Sequence, residues 1–205
     1  MHPVFVPTYA MLLLCVGLAT THTADIPNKW YLTAVIGTLF LTCIIPASAL
    51  ILLWNGDIQK AYMRNKKDRR VPYIYGLISA ILWYLFLRIV LGVPVIVYSS
   101  VEGATLCLLL ISLLNFKWKI SAHTAMMGIL FGGVLAFCLY AGLYSYGLWI
   151  ALLMLSGIVM WARLYLNEHT EIETTVGYLI GLFITFSIGI GGIIFSYLIW
   201  AAGCK

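Results

Sequence analysis

Seven runs of apolar residues, most of them near twenty residues long, follow one another with only short polar breaks: 3–22, 30–54, 73–91, 97–114, 124–143, 147–161 and 174–200. A helix of about twenty apolar residues spans the hydrocarbon core of a bilayer. Inside that core every backbone N–H and C=O needs a partner, and a helix supplies them from within itself. The pattern therefore predicts an all-α, polytopic helical membrane protein of six or seven helices, with residues 1–205 forming a single integral membrane domain. Composition excludes the alternative. At 63% hydrophobic and 9% charged residues, the chain carries more apolar surface than a soluble globule of this size can hide. The run 147–161 is short for a span and is expected to be tilted or partly sunk. The run 3–22 has no Lys or Arg before it and only a poor cleavage site at Thr21–Ala24, so it reads as a retained membrane helix and not as a secretory signal.

The five cysteines lie mostly within apolar runs, are odd in number and lack metal-type spacing, which reads as small hydrophobic core residues. Gly128 and Gly132, and likewise Gly177 and Gly181, stand four apart. Small residues at that spacing let membrane helices approach closely, here within one chain and not as a dimer motif. Arg88 and Glu102 lie in or near apolar runs and are expected to pair with each other.

The polar connections alternate in character. If each run crosses once, 55–72, 115–120 and 162–173 share one face. That face holds Lys60, Arg64, Lys66, Lys67, Arg69, Arg70, Lys117, Lys119 and Arg163, nine of the twelve Lys and Arg residues. A positive cytoplasmic face explains such an excess. A site for an anionic ligand on the same face is compatible with it, and phosphate-binding cations would add to the same count, so the charge argues for a cytoplasmic face without fixing the side of the membrane.

One stretch on that face, RLYLNEHTEIE at 163–173, concentrates Arg163, Glu168, His169, Glu171 and Glu173. His169 and Glu173 are four apart and meet if a helix begins near Thr170. A carboxylate on Nδ1 sets the tautomer of a histidine and leaves Nε2 as base or nucleophile. Arg163 carries a fork that matches phosphate oxygens. Glu168 and Glu171 read as solvated. A second group sits in KWKISAHTAMMG. Ser121 is a good N-cap, the following helix start directs amides at the same face, and His123 stands in its first turn.

These residues resemble the type 2 phosphatidic acid phosphatases, relatives of the vanadium haloperoxidases. The family pattern is K-x6-RP, then PSGH, then SR-x5-H-x3-D. Here the third motif reads Ala162-Arg163, His169 and Glu173, the second Ile120-Ser121-Ala122-His123, and the first Arg64 with Val71-Pro72, so the likeness covers about 64–181. Arg stands for Lys at Arg64, Val71 for Arg, Ala122 for Gly, Ala162 for Ser and Glu173 for Asp. The resemblance implies that His169 attacks phosphorus, His123 serves as acid and then base, and Glu173 orients His169. It implies that Arg163, Arg64, Arg70 and the amides of Ser121 and Ala122 hold the phosphoryl oxygens. The expected activity is hydrolysis of a lipid phosphate monoester or pyrophosphate through a phosphohistidine, with no metal or other cofactor. The expected partners are the lipid phosphate substrate and membrane lipids, with no nucleic acid and no obligate protein partner. Likeness to bacterial members implies the inner (cell) membrane. The competing expectation is a family member that binds or moves an anionic lipid without hydrolysis, which the departures at Val71, Ala122 and Ala162 favour.

Overall fold

The structure, a computed structural model, describes residues 5–21, 28–45, 48 and 70–203. Seven helices carry them: α1 (Val6–Thr21), α2 (Asn28–Leu39), α3 (Arg70–Leu85), α4 (Val95–Leu114), α5 (Ala122–Tyr140), α6 (Tyr146–Tyr165) and α7 (Glu171–Gly203). Two of them continue into a wider π turn, α2 through Phe40–Ile44 and α3 through Phe86–Leu91. No strand occurs among the described residues. The chain is an all-α membrane-type bundle, and five of its helices, α3 with its π turn and α4 to α7, are long and apolar enough to cross a membrane. Residues Arg64 and most of the basic 55–72 connection lie outside the described residues, as do His2, His22 and Cys204.

Two helix lengths differ from the sequence expectation. α6 is a full 20 residues and not a short run, because Ala162, Arg163 and Leu164 are good helix formers and a cation in the last turn meets the exposed C-terminal carbonyls favourably. α1 has 16 residues, about 24 Å at 1.5 Å per residue, and is shorter than a standard span. Its buried face, Met11, Leu14, Cys15 and Leu18, recurs every three to four residues, the helical period of a packed stripe.

α5 is the centre of the bundle, with 13 of its 19 residues buried. A helix that is apolar all round has no solvent face, so its neighbours must cover it on every side. The closest is α7. A Cβ on Gly128 would stand 2.1 Å from the Tyr178 carbonyl oxygen, and one on Gly181 would stand 2.2 Å from that of Ala125. Each glycine pair therefore lets the backbone of the other helix approach closely, inside one chain. α4 packs on the next face of α7, where Gly103 meets the Cα of Thr185 at a would-be Cβ distance of 2.8 Å.

The turn ending α3 is built on Gly92, whose φ of 56° suits a residue without Cβ, followed by Pro94 just before α4. Near that end Arg88 does not pair with Glu102. Its guanidinium donates to the Tyr84 hydroxyl and lies over the Tyr84 and Tyr98 rings, 5.9 and 5.6 Å from their centroids. A tyrosine one turn back and another on α4 offer a cation a nearer seat than the carboxylate. Cys15, Cys43, Cys107 and Cys138 are all buried, as small core residues, and the Cys43 sulfur lies 3.3 Å from the Thr8 hydroxyl.

Candidate active site

The site lies where α5 and α7 begin and α6 ends. Ser121 caps α5 by accepting the Thr124 amide at 3.5 Å, which places Ala122 and His123 in the first turn. Arg163 occupies the last turn of α6. The chain reverses through Asn167, which takes a left-handed φ of 52°. Thr170 and Glu173 then cap α7 reciprocally: the Glu173 carboxylate accepts the Thr170 amide at 3.1 Å, and the Thr170 hydroxyl accepts the Glu173 amide at 3.3 Å. This capping box holds the Glu173 carboxylate beside His169.

His169 is held at one ring nitrogen by two acceptors. Its Nδ1 lies 3.1 Å from Glu173 Oε2 and 3.1 Å from the Lys119 carbonyl oxygen. Both partners are acceptors, so Nδ1 carries the proton and Nε2 of the neutral ring carries the lone pair. The side chain is 3% exposed. His123 is held the opposite way. Arg163 Nη1 lies 3.5 Å from its Nδ1. A guanidinium can only donate, so Nδ1 accepts and the neutral ring keeps its proton on Nε2. The two histidines thus present opposite tautomers.

Three ties join the 115–121 connection to the start of α7. The Lys119 carbonyl takes the His169 proton, Lys119 Nζ donates to the Glu168 carbonyl at 2.8 Å, and the Ser121 amide donates to the Glu173 carbonyl at 3.3 Å. Lys119 Nζ also stands 3.9 Å from the Glu168 carboxylate.

A cavity of about 690 Å³ opens at this end. Its polar mouth is formed by Ala122, His123, Arg163, Glu168 and His169, with Pro72 from the start of α3 beside them. Below the mouth Met126, Ile129, Leu130 and Val134 of α5 continue the wall. From Ala122 to Val134 is twelve residues, about 18 Å of depth at the helical rise. The cavity is a slot with a charged rim and an aliphatic shaft.

Of the residues expected from sequence, His123, Arg163, His169 and Ala122 line this one cavity, and Glu173 reaches it through His169. Arg64 lies outside the described residues, as does the Arg70 side chain, although Arg70 opens α3 at the same end. Ser121 does not belong to the rim. It is fully buried, and its amide is used by the Glu173 carbonyl, so it joins α5 to α7 and does not face a ligand. Glu168 is not a solvated bystander either, because it lines the cavity and neighbours Lys119. Lys119 itself was visible in sequence only as one more cation of the basic face. Its position two residues before the Ser121 cap was the available signal, but its carbonyl partner lies 50 residues away. No protein-family model, no curated protein and no solved structure matches the chain.

Proposed function

We propose that this chain is a membrane lipid phosphatase that hydrolyses a phosphate monoester or pyrophosphate of a lipid through a phosphohistidine. The observation that carries the reading is the pairing of a tautomer-fixed histidine, His169, with Arg163 and His123 at the mouth of an apolar shaft. A lipid phosphate has the same two-part chemistry: an anionic head for the rim and a hydrocarbon tail for the shaft.

The residues support the following division of work. His169 Nε2 attacks phosphorus while Nδ1–H remains on Glu173 and the Lys119 carbonyl. The new P–N bond puts positive charge on the ring, which the Glu173 carboxylate offsets. The bond from phosphorus to the leaving oxygen breaks, and that oxygen needs a proton. His123 can give one only as an imidazolium. Its Nδ1 is occupied by Arg163 without ligand, and a phosphate competes for the same guanidinium. Phosphate binding at Arg163 thus releases Nδ1 to take up a proton, and His123 becomes a general acid. A water then attacks phosphorus and passes its proton to His123, and the P–N bond breaks to restore His169. The cation and the first amides of α5 stabilise the oxyanion charge.

A second reading is a binder or carrier of anionic lipid that does not hydrolyse it. The engaged amide of Ser121 favours it, since that group is one fewer donor for phosphate. The deciding experiment is phosphate release by the purified protein from a panel of lipid phosphates, with and without EDTA, beside His169→Ala. EDTA-resistant release that the substitution abolishes supports the phosphatase. Folded protein that releases nothing from any lipid overturns it in favour of the binder.

A further inference from the structure

The shaft has an inner end, marked by how exposure falls along its walls. On α3, Gly76 and Ala80 line it half-buried, and Trp83, 3% exposed, is the last residue of that helix to reach it. On α4, Ala104 lines it half-buried and the buried Ser100 is the last. On α5 the last is the buried Val134. These ends lie at one level. Tyr84 meets Tyr98 edge-on across α3 and α4, with ring centroids 6.5 Å apart, and a Cβ on Gly133 would stand 4.0 Å from Ser100 Oγ. Beyond that level Leu87, Ile96, Ala136 and Phe137 fill the bundle as packed core, and none of them lines the cavity. The shaft is blind.

Trp83 is the bulkiest group at this floor, and it is locked in place. Its indole N–H donates to the Thr38 hydroxyl of α2 at 2.9 Å, and that hydroxyl donates to the Ala34 carbonyl at 2.7 Å. The ring stacks on Phe86 with centroids 5.5 Å apart and packs against Gly37, where a Cβ would run into it. A buried indole with its N–H satisfied and its ring packed by neighbours keeps one position. Small side chains open the shaft above it, and one large ring ends it.

We infer that Trp83 sets the length of hydrocarbon chain that the site accepts. From Pro72 at the mouth to Trp83 is eleven residues, about 16 Å at the helical rise. An extended carbon chain advances about 1.2 Å per bond, a third of the span of an extended residue, so about thirteen carbons reach the floor. A longer chain has to fold back into filled space. This selection presupposes that the cavity is a lipid site, and it narrows the substrate class to lipid phosphates of medium chain length.

The test is binding, measured separately from turnover. Linear alkyl phosphates of about eight to twenty carbons, bracketing the length the shaft can hold, compete with radiolabelled dodecyl phosphate for the full-length protein at equal mole fraction in detergent micelles. The tail is already in hydrocarbon there, so carbons up to the floor should change affinity little. Chains that overrun it should bind about tenfold more weakly, the scale of overpacking a filled core. Trp83→Leu should move this break outward by about three carbons, and Trp83→Phe, which keeps an aromatic floor if the leucine variant does not fold, by about two. Ala104→Phe fills the shaft one turn above Ser100, about 6 Å, and should move the break inward by about five carbons. A wild type with no break would overturn the length selection, as would a break that none of the three variants moves. Phosphate release separates the two readings. Release without a break keeps the phosphatase and removes the length selection. A break without release keeps the length selection and removes the phosphatase.

Discussion

Glu173→Gln isolates what the carboxylate does for His169. Glutamine keeps an oxygen that can accept from both the Thr170 amide and His169 Nδ1, each now 3.1 Å away. The cap of α7 and the histidine tautomer should therefore persist, and only the charge is lost. A hydrogen bond to a charged group contributes about 1.5–3 kcal/mol and a neutral one about 0.5–1.5 kcal/mol. The difference, about 1–1.5 kcal/mol, should appear when the ring becomes positive in the attack on phosphorus. At about 1.4 kcal/mol per tenfold, kcat for phosphate release should fall about tenfold. KM should hold, because Glu173 touches the histidine and not the ligand. Glu173→Ala removes the capping box as well, so it should also cost about 1 kcal/mol of stability and lower the thermal midpoint. Its kcat should still exceed that of His169→Ala, since the Lys119 carbonyl continues to hold the Nδ1 proton. The assay is initial-rate phosphate release in detergent, beside a thermal melt of each variant. A folded Glu173→Gln protein at the wild-type rate would refute the role assigned to the carboxylate charge. A Glu173→Ala protein as dead as His169→Ala, yet folded, would refute the share assigned to Lys119.

Three further outcomes are expected. Gly181→Leu should lower the thermal midpoint by an amount corresponding to about 1–3 kcal/mol or more of overpacking, since any Cβ there runs into the Ala125 carbonyl, whereas Gly191→Leu, where nothing lies within 4 Å, should not. Glu168→Gln removes a carboxylate from the rim that an anionic head must pass, so affinity for a lipid phosphate should rise about threefold, as for other partly exposed charge interactions; titration at low and high salt should show the gain shrinking as screening increases. Arg163→Lys keeps the charge but loses the planar fork, so binding should weaken about tenfold, read from the concentration dependence of release.

The candidate site was readable to different depths. His169 with Glu173 followed from a four-residue spacing and a helix start, because both lie on one local turn whose rules are written in a few adjacent residues. His123 followed from the Ser121 cap in the same way. The roles of Ser121, Glu168 and Lys119 did not. Each depends on a partner across the gap between the 115–121 connection and the start of α7, such as the 50-residue separation from Lys119 to His169. Arg88 went to two tyrosines and not to Glu102, a choice made by which side chains reach it once α3 and α4 are packed.

By itself the sequence determined that the chain is a bundle of membrane-type helices, and where most of them begin and end. A solvent that offers no hydrogen bonds leaves an apolar run of about twenty residues little choice but a helix. Only the tertiary structure decided which hydrogen each histidine keeps and which cation and carboxylate share the rim. Those outcomes hang on the close backbone contact of α5 with α7 that the glycines permit, which sets the two helix starts a few ångströms apart. Contacts of that reach are set by how whole helices mesh, and no local stretch of the chain contains them.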